Sequence, residues 1–329
     1  MKDTKKPKLA IIGGDARQLI AAARLLDAGW DVNLYGFSGE DVHDSTVDSL
    51  CCSCCTAKPH EFLKNLADGS VSDCGTVCES LEDAIYECSA VILPLPASVD
   101  GVHVSIQLGG RQRVALTNLI SMMNAVGIKL LFAGKLQSEM RALAMKQGID
   151  VFDYYERDEF AIANAVPTAE GAIEIAMHEL PTTLDGSSAL VIGNGRIGKV
   201  LARLLAALGV TVTVSARKPA DFALIRTEGH RAANTEKLAE LFSVRRFDMI
   251  FNTVPHRVLN RGELSLIPPG TLIVDLASKP GGVDSKEAAK LSHNVIWALS
   301  LPGKVAPVTS GHIIADTILS GLDDRLQRG

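Results

Sequence analysis

The stretch LVIGNGRIGKVLARLLAALG, which begins at Leu190, constrains this chain more than any other. An apolar run closes on Gly193, and further glycines follow at Gly195 and Gly198. Ile197, Val200, Leu201, Leu204, Leu205 and Leu208 then recur at three- and four-residue spacing. The pattern is that of a strand, a tight turn and an amphipathic helix. Gly193 permits the turn, Gly195 lets backbone amides approach a pyrophosphate, and Gly198 lets the helix pack closely on its strand. Arg196 and Ile197 open that helix, whose unpaired N–H groups and partial positive charge favour an anion. Set between strand and helix, these glycines predict a dinucleotide site.

The same rhythm fills the chain. KLAIIGG, DVNLYGF, SAVILPLP and IKLLFAG read as strands in the first half, and SSALVIG, VTVTVSA, FDMIFNT, GTLIVDLA and NVIWAL in the second. Strands alternating with helical periods indicate parallel sheets, and 329 residues are more than one core usually holds. The predicted fold class is therefore α/β, with two doubly wound Rossmann-like domains. NAVPTAEGAIEIAMHELP predicts a connecting helix, with Pro167 in its first turn and Pro181 just beyond its end. The tail predicts a C-terminal helix that crosses back to the first domain. On this reading residues 1–155 with 303–329 form an N-terminal substrate domain, and residues 156–302, connecting helix included, form the NADP-binding domain. The segment from Glu40 to Ser80 reads as irregular, with at most short elements.

The strand after the glycine loop selects the nucleotide. An NAD site carries Asp or Glu about 20 residues on, for the ribose hydroxyls. This chain reads VTVSARKPAD there, so Ser215, Arg217 and Lys218 are expected to donate to a 2′-phosphate, and NADP rather than NAD is predicted. The N-terminal KLAIIGGDARQ is leaner. It lacks the third glycine, and Asp15 puts negative charge where a pyrophosphate would lie. A helix start with free amides at Gly14 and Asp15, followed by Arg17 and Gln18, suits a substrate carboxylate instead.

A net charge of −5 argues against a nucleic-acid partner, and no apolar run nears the ~20 residues that span a bilayer. MKDTKKPK leads into a strand rather than a signal-type stretch, so a cytoplasmic protein is expected. Seven cysteines include Cys51, Cys52, Cys54 and Cys55, but their adjacency lacks the spaced pairs of a metal site, and no metal is predicted.

Several stretches together, KLAIIGGDARQ, YERDEFAIANAVPTAEG, FNTVP, DLASKPGG and LPGKVAPVTSG, closely resemble the A-subunit family of bacterial dipicolinate synthases, in order along nearly the whole chain. The resemblance implies NADP-linked oxidation of a dihydrodipicolinate to dipicolinate in the mother cell of a sporulating bacterium. It also implies that the partner is a flavoprotein-like B subunit. A homo-oligomer is compatible with it.

A planar diacid needs several donors and cations. Arg17 with the Gly14 and Asp15 amides is expected to take one carboxylate. Arg157, Lys279, or the VTSG turn at Ser310 and Gly311 is expected to take the other, with Lys304 a weaker candidate. Glu170, Asp158, Asp15 and His312 are candidate bases, Glu170 in the first turn of the connecting helix. Asn164 and Thr168 flank the hinge, and Asn252, Pro255 and Ala277 are expected beside the cofactor. Two other readings stay open: another NADP-dependent 2-hydroxy or imino acid dehydrogenase, and an NADP-binding subunit without its own chemistry.

Overall fold

The computed structural model describes residues 8–37, 75–108 and 112–326. The chain divides into two compact units, Met1–Ala161 with Pro307–Gly329, and Ile162–Ala306. The CCSCC cluster and Cys74 lie outside the described residues.

The first unit holds β1 (Lys8–Ile12), β2 (Asp31–Tyr35), β3 (Gly75–Val77), β4 (Ala90–Ile92), β5 (Leu130–Ala133) and β6 (Asp150–Asp153). Every pairing is parallel, in the order β3-β2-β1-β4-β5-β6. The second unit repeats the plan with β7 (Ser188–Ile192), β8 (Thr211–Ala216), β9 (Arg231–Asn234), β10 (Met249–Asn252), β11 (Leu272–Asp275) and β12 (Val295–Trp297), ordered β12-β11-β10-β7-β8-β9. In each sheet the chain starts centrally, winds one way, then returns to the other side of its first strand. This leaves a crevice at the carboxyl ends of β1 and β4, and another at those of β7 and β10, where open sheets bind ligands.

Central strands are apolar because helices cover both faces of the sheet. Leu9, Ile11 and Ile12 of β1 and Leu190, Val191 and Ile192 of β7 have no exposed surface. The helix after β7, Arg196–Ala207, buries Leu201 and Leu205 completely, each contributing about 2 kcal/mol. The connecting helix, Ala165–Glu179, lies against it through the fully buried Ala169, Ala172 and Ala176.

The C-terminal helix, Pro307–Leu326, belongs to the first unit and packs on the helix Ala16–Asp27. A Cβ at Gly311 would lie 2.5 Å from that of Ile20. The expected VTSG turn is thus the first turn of this helix, and Gly311 serves close helix packing, with Ser310 buried beside it. Among the described residues no helix is long and apolar enough to cross a membrane.

Candidate functional site

The two glycine loops differ in who occupies the helix start. After β7, Gly193 takes φ +104°, and its amide donates to the Ser215 carbonyl of β8 at 3.0 Å. Gly195 is the N-cap of the following helix, and no side chain caps it. A Cβ added at Gly195 would meet no atom within 4 Å. A Cβ at Gly198, by contrast, would run into the Gly193 carbonyl oxygen. Thr253, whose hydroxyl donates to Ile192 O at 2.9 Å, supports the loop from beneath. The unspent amides and the open space over Gly195 fit a pyrophosphate. Arg196 is exposed at the helix start, and Ile197 turns inward onto the core.

After β1 the helix start is closed. Asp15 is the N-cap, its carboxylate accepts the Arg17 amide at 3.0 Å, and Gln18 Oε1 accepts the Asp15 amide at 3.1 Å, a complete capping box. The Arg17 guanidinium, 7% exposed, donates to the same carboxylate at 2.7 Å and to Leu95 O at 2.6 Å. Ile106 covers the turn: it forms a parallel bridge with Gly14, and Gln107 N donates to Gly14 O at 3.0 Å. Of the two amides expected to be free, that of Asp15 is therefore taken by the Gln18 side chain, and Arg17 is a buried ion-pair partner of Asp15. Asp15→Ala is expected to cost about 3 kcal/mol, because it removes a cap and strands a buried cation. A chemical unfolding titration measures this.

Other expectations need correction. Ser215 is fully buried and its hydroxyl accepts from Thr235 at 2.9 Å, so it does not face a ribose phosphate. Arg217 and Lys218 follow at the exposed end of β8. Asn252 is also fully buried: its amide donates to Val254 O at 3.0 Å and to Asp275 at 2.8 Å, bracing β10 to β11 rather than bordering a nucleotide. Asp275, which heads the DLASKPGG stretch but is given no role by the sequence, gathers further donors from Ala277, Gly282 and Val283. The loop it braces carries Ala277, buried, and Lys279, exposed; Pro255 is exposed after β10.

Glu170 is exposed, but it is the sixth residue of its helix and lies beyond the first turn. Thr168 spends its hydroxyl on Asn164 O at 2.7 Å. Arg157 pairs with Glu159 at 2.8 Å and stacks over Phe152, while Asp158 is exposed at the start of a short helix. His312 is half-buried, and burial, then Arg24, hold its imidazole below its ordinary pKa. Among the described residues no three His, Cys, Asp or Glu side chains group as metal ligands.

Residues 164–290 match the D-isomer specific 2-hydroxyacid dehydrogenase NAD binding domain. The A subunit of dipicolinate synthase from Bacillus subtilis is 34% identical over 311 residues, which is 94% of each chain. The chain belongs to the dipicolinate synthase A-subunit family. The crystal structure of the B. subtilis protein matches with a TM-score of 0.79 and 33% identity over 98% of both chains. That of the A subunit from Bacillus halodurans matches with a TM-score of 0.80 and 28% identity, over 96% of this chain and 97% of that one. The second unit is accordingly an NAD(P)-binding domain, and the chain is of an oxidoreductase family. Its open loop lies inside the matched domain; its self-capped loop lies outside it.

Proposed function

We propose that this chain oxidises dihydrodipicolinate to dipicolinate with NADP, serving as the A subunit of a dipicolinate synthase. On this reading it works with a flavoprotein-like B subunit in the mother cell of a sporulating bacterium. The full-length likeness to the A subunit of dipicolinate synthase supports the substrate. The observation that carries the cofactor choice is the end of β8, where Ala216 is followed by the exposed cations Arg217 and Lys218 and by no carboxylate. A carboxylate there accepts ribose hydroxyls and repels a 2′-phosphate, whereas a guanidinium donates to it in its own plane.

The ring gives a hydride to the nicotinamide and a proton to a base, leaving the aromatic diacid and NADPH. The protein's part is to hold ring and nicotinamide at contact distance. The uncapped helix start at Gly195 takes the pyrophosphate, and the loop braced by Asp275 holds Lys279 as a cation for the diacid.

Arg217→Ala is expected to raise the Kd for NADP about 30-fold, the equivalent of about 2 kcal/mol for a lost charge-assisted contact, and to leave that for NAD within a factor of two. Tighter binding of NAD than NADP, indifferent to this substitution, would reverse the cofactor assignment. The activity itself is read from absorbance of the reduced nicotinamide after freshly generated dihydrodipicolinate is added, with and without the B subunit. NADP reduction by the isolated chain supports the proposal. Normal NADP binding without reduction points to a cofactor-holding subunit whose partner does the chemistry.

A further inference from the structure

Trp297 ends β12 with 40% of its surface exposed. A large ring left that far out of the core is accounted for by its contacts rather than by its burial. The parallel register of β11 and β12 sets Trp297 opposite Asp275, so the two side chains lie on one face of the sheet. Both reach the loop that follows β11. The indole Nε1 donates to Ala277 O at 2.9 Å. The ring itself lies against Gly281, where an added Cβ would stand 3.4 Å from Cε2 and Cζ2.

These contacts complete a grip that Asp275 begins. Its carboxylate takes the amides of Ala277, Gly282 and Val283, and Gly281 N donates to Ser278 O at 2.9 Å to close the turn. Both backbone polar groups of Ala277 are thereby fixed, the N–H by β11's own carboxylate and the carbonyl by a side chain of β12. Ala277, Gly281 and Gly282 are buried as the stem of the turn, and Ser278, Lys279 and Pro280 are exposed as its tip. A lysine side chain already loses much rotamer freedom when a ligand orders it. With its backbone held beforehand, those torsions are all that remains to be ordered; a loose turn would add its own entropy cost to binding.

We propose that Trp297 is the positioning residue for Lys279: through Ala277 O and Gly281 it fixes the turn whose tip carries that ammonium to its anionic ligand. The inference rests on the proposed function for the ligand and for Lys279 as the group that meets it. Asp275 holds the same turn, but it satisfies four donors at once, so its removal disturbs the strand end as a whole. Trp297 acts from the neighbouring strand through one hydrogen bond and one ring contact. Its contribution to Lys279 can therefore be separated from the integrity of the sheet.

The test is a double-mutant cycle, read by calorimetric titration of dipicolinate into the full-length chain with NADP present. Lys279→Met removes the charge at nearly the same length and is expected to raise the Kd about tenfold or more. Trp297→Phe keeps a ring against Gly281 but loses the N–H, and is expected to raise it about fivefold. The double variant is expected to bind no more weakly than Lys279→Met alone, because a loosened turn then has no ammonium to misplace. The Kd for NADP is unchanged in all three. A purely structural role for Trp297 gives a different result: the two losses multiply in the double variant, or Trp297→Phe weakens NADP as much as dipicolinate. Either outcome, or wild-type affinity for dipicolinate in Trp297→Phe, overturns the inference and leaves Lys279 in its role. Full affinity in Lys279→Met, or no dipicolinate binding by the wild type, removes Lys279 from the site and defeats that part of the proposed function along with the inference. Should Trp297→Phe melt well below the wild type, Trp297→Tyr, which also lacks the indole N–H, replaces it in the cycle.

Discussion

Gly195→Val is expected to abolish NADP binding, with at least a 100-fold loss of affinity, while the chain still folds. Gly195 has φ −84°, a conformation open to any residue, and a Cβ there meets nothing within 4 Å. The folded protein therefore accepts the branched side chain at about 1 kcal/mol, the difference between glycine and valine as a helix N-cap. The ligand does not accept it, because the methyl groups fill the space through which a pyrophosphate reaches the helix amides. A 100-fold loss corresponds to about 2.7 kcal/mol, less than the several hydrogen bonds forfeited would allow. Gly198→Ala supplies the contrast. Its Cβ strikes the Gly193 carbonyl, so stability and binding should fall together. The checks are an NADP titration and a thermal melt of each variant. NADP bound as tightly by Gly195→Val as by the wild type would show that the nucleotide lies elsewhere.

The central architecture is legible because buried strands are written in uninterrupted apolar runs. KLAII, SALVI, MIFN and LIVD each sit inside a sheet covered on both faces, and each announces itself. The strands that the periodicity leaves unnamed, β3, β6 and β9, are all edges. DVFD and RAAN are half exposed, and carry the polar residues that keep edges from pairing with other chains.

The two loops show a subtler limit. Both read as helix starts, and the glycine spacing identifies the one left open. What is not legible is that Asp15 pairs with Arg17 and that Gln18 Oε1 accepts the Asp15 amide. Aspartate is a good N-cap and arginine a good carboxylate ligand, and only three-dimensional placement decides which preference prevails. Ser215 and Asn252 depart from expectation for a related reason. Residues near a strand end alternate between core and crevice, and a shift of one position reverses the assignment.

Asp275→Ala is expected to destabilise the second unit by about 4 kcal/mol, because one carboxylate satisfies four buried donors. Its Oδ1 accepts from the Asn252 amide at 2.8 Å and Ala277 N at 3.1 Å, and its Oδ2 from Gly282 N at 2.8 Å and Val283 N at 3.2 Å. The residue is 3% exposed, so water does not replace it. Alanine leaves three backbone amides without partners and takes from the Asn252 side-chain amide one of its two acceptors, and the unfolding midpoint should fall by roughly 10 °C. Asp275→Asn keeps one acceptor but turns an NH₂ group towards one pair of donors, so it recovers at most about half the loss.

The effect on the loop is separately visible. Trp297 Nε1 donates to Ala277 O at 2.9 Å, and the chain's only other tryptophan is Trp30. In a Trp30→Phe background the emission of Trp297 reports on the Ala277–Gly282 loop alone. A red shift below the melting transition is expected, as the loop that presents Lys279 loosens before the sheet does. An unchanged midpoint together with unshifted emission would mean that Asp275 does not organise this strand end. Lys279 would then have to be positioned by some other contact.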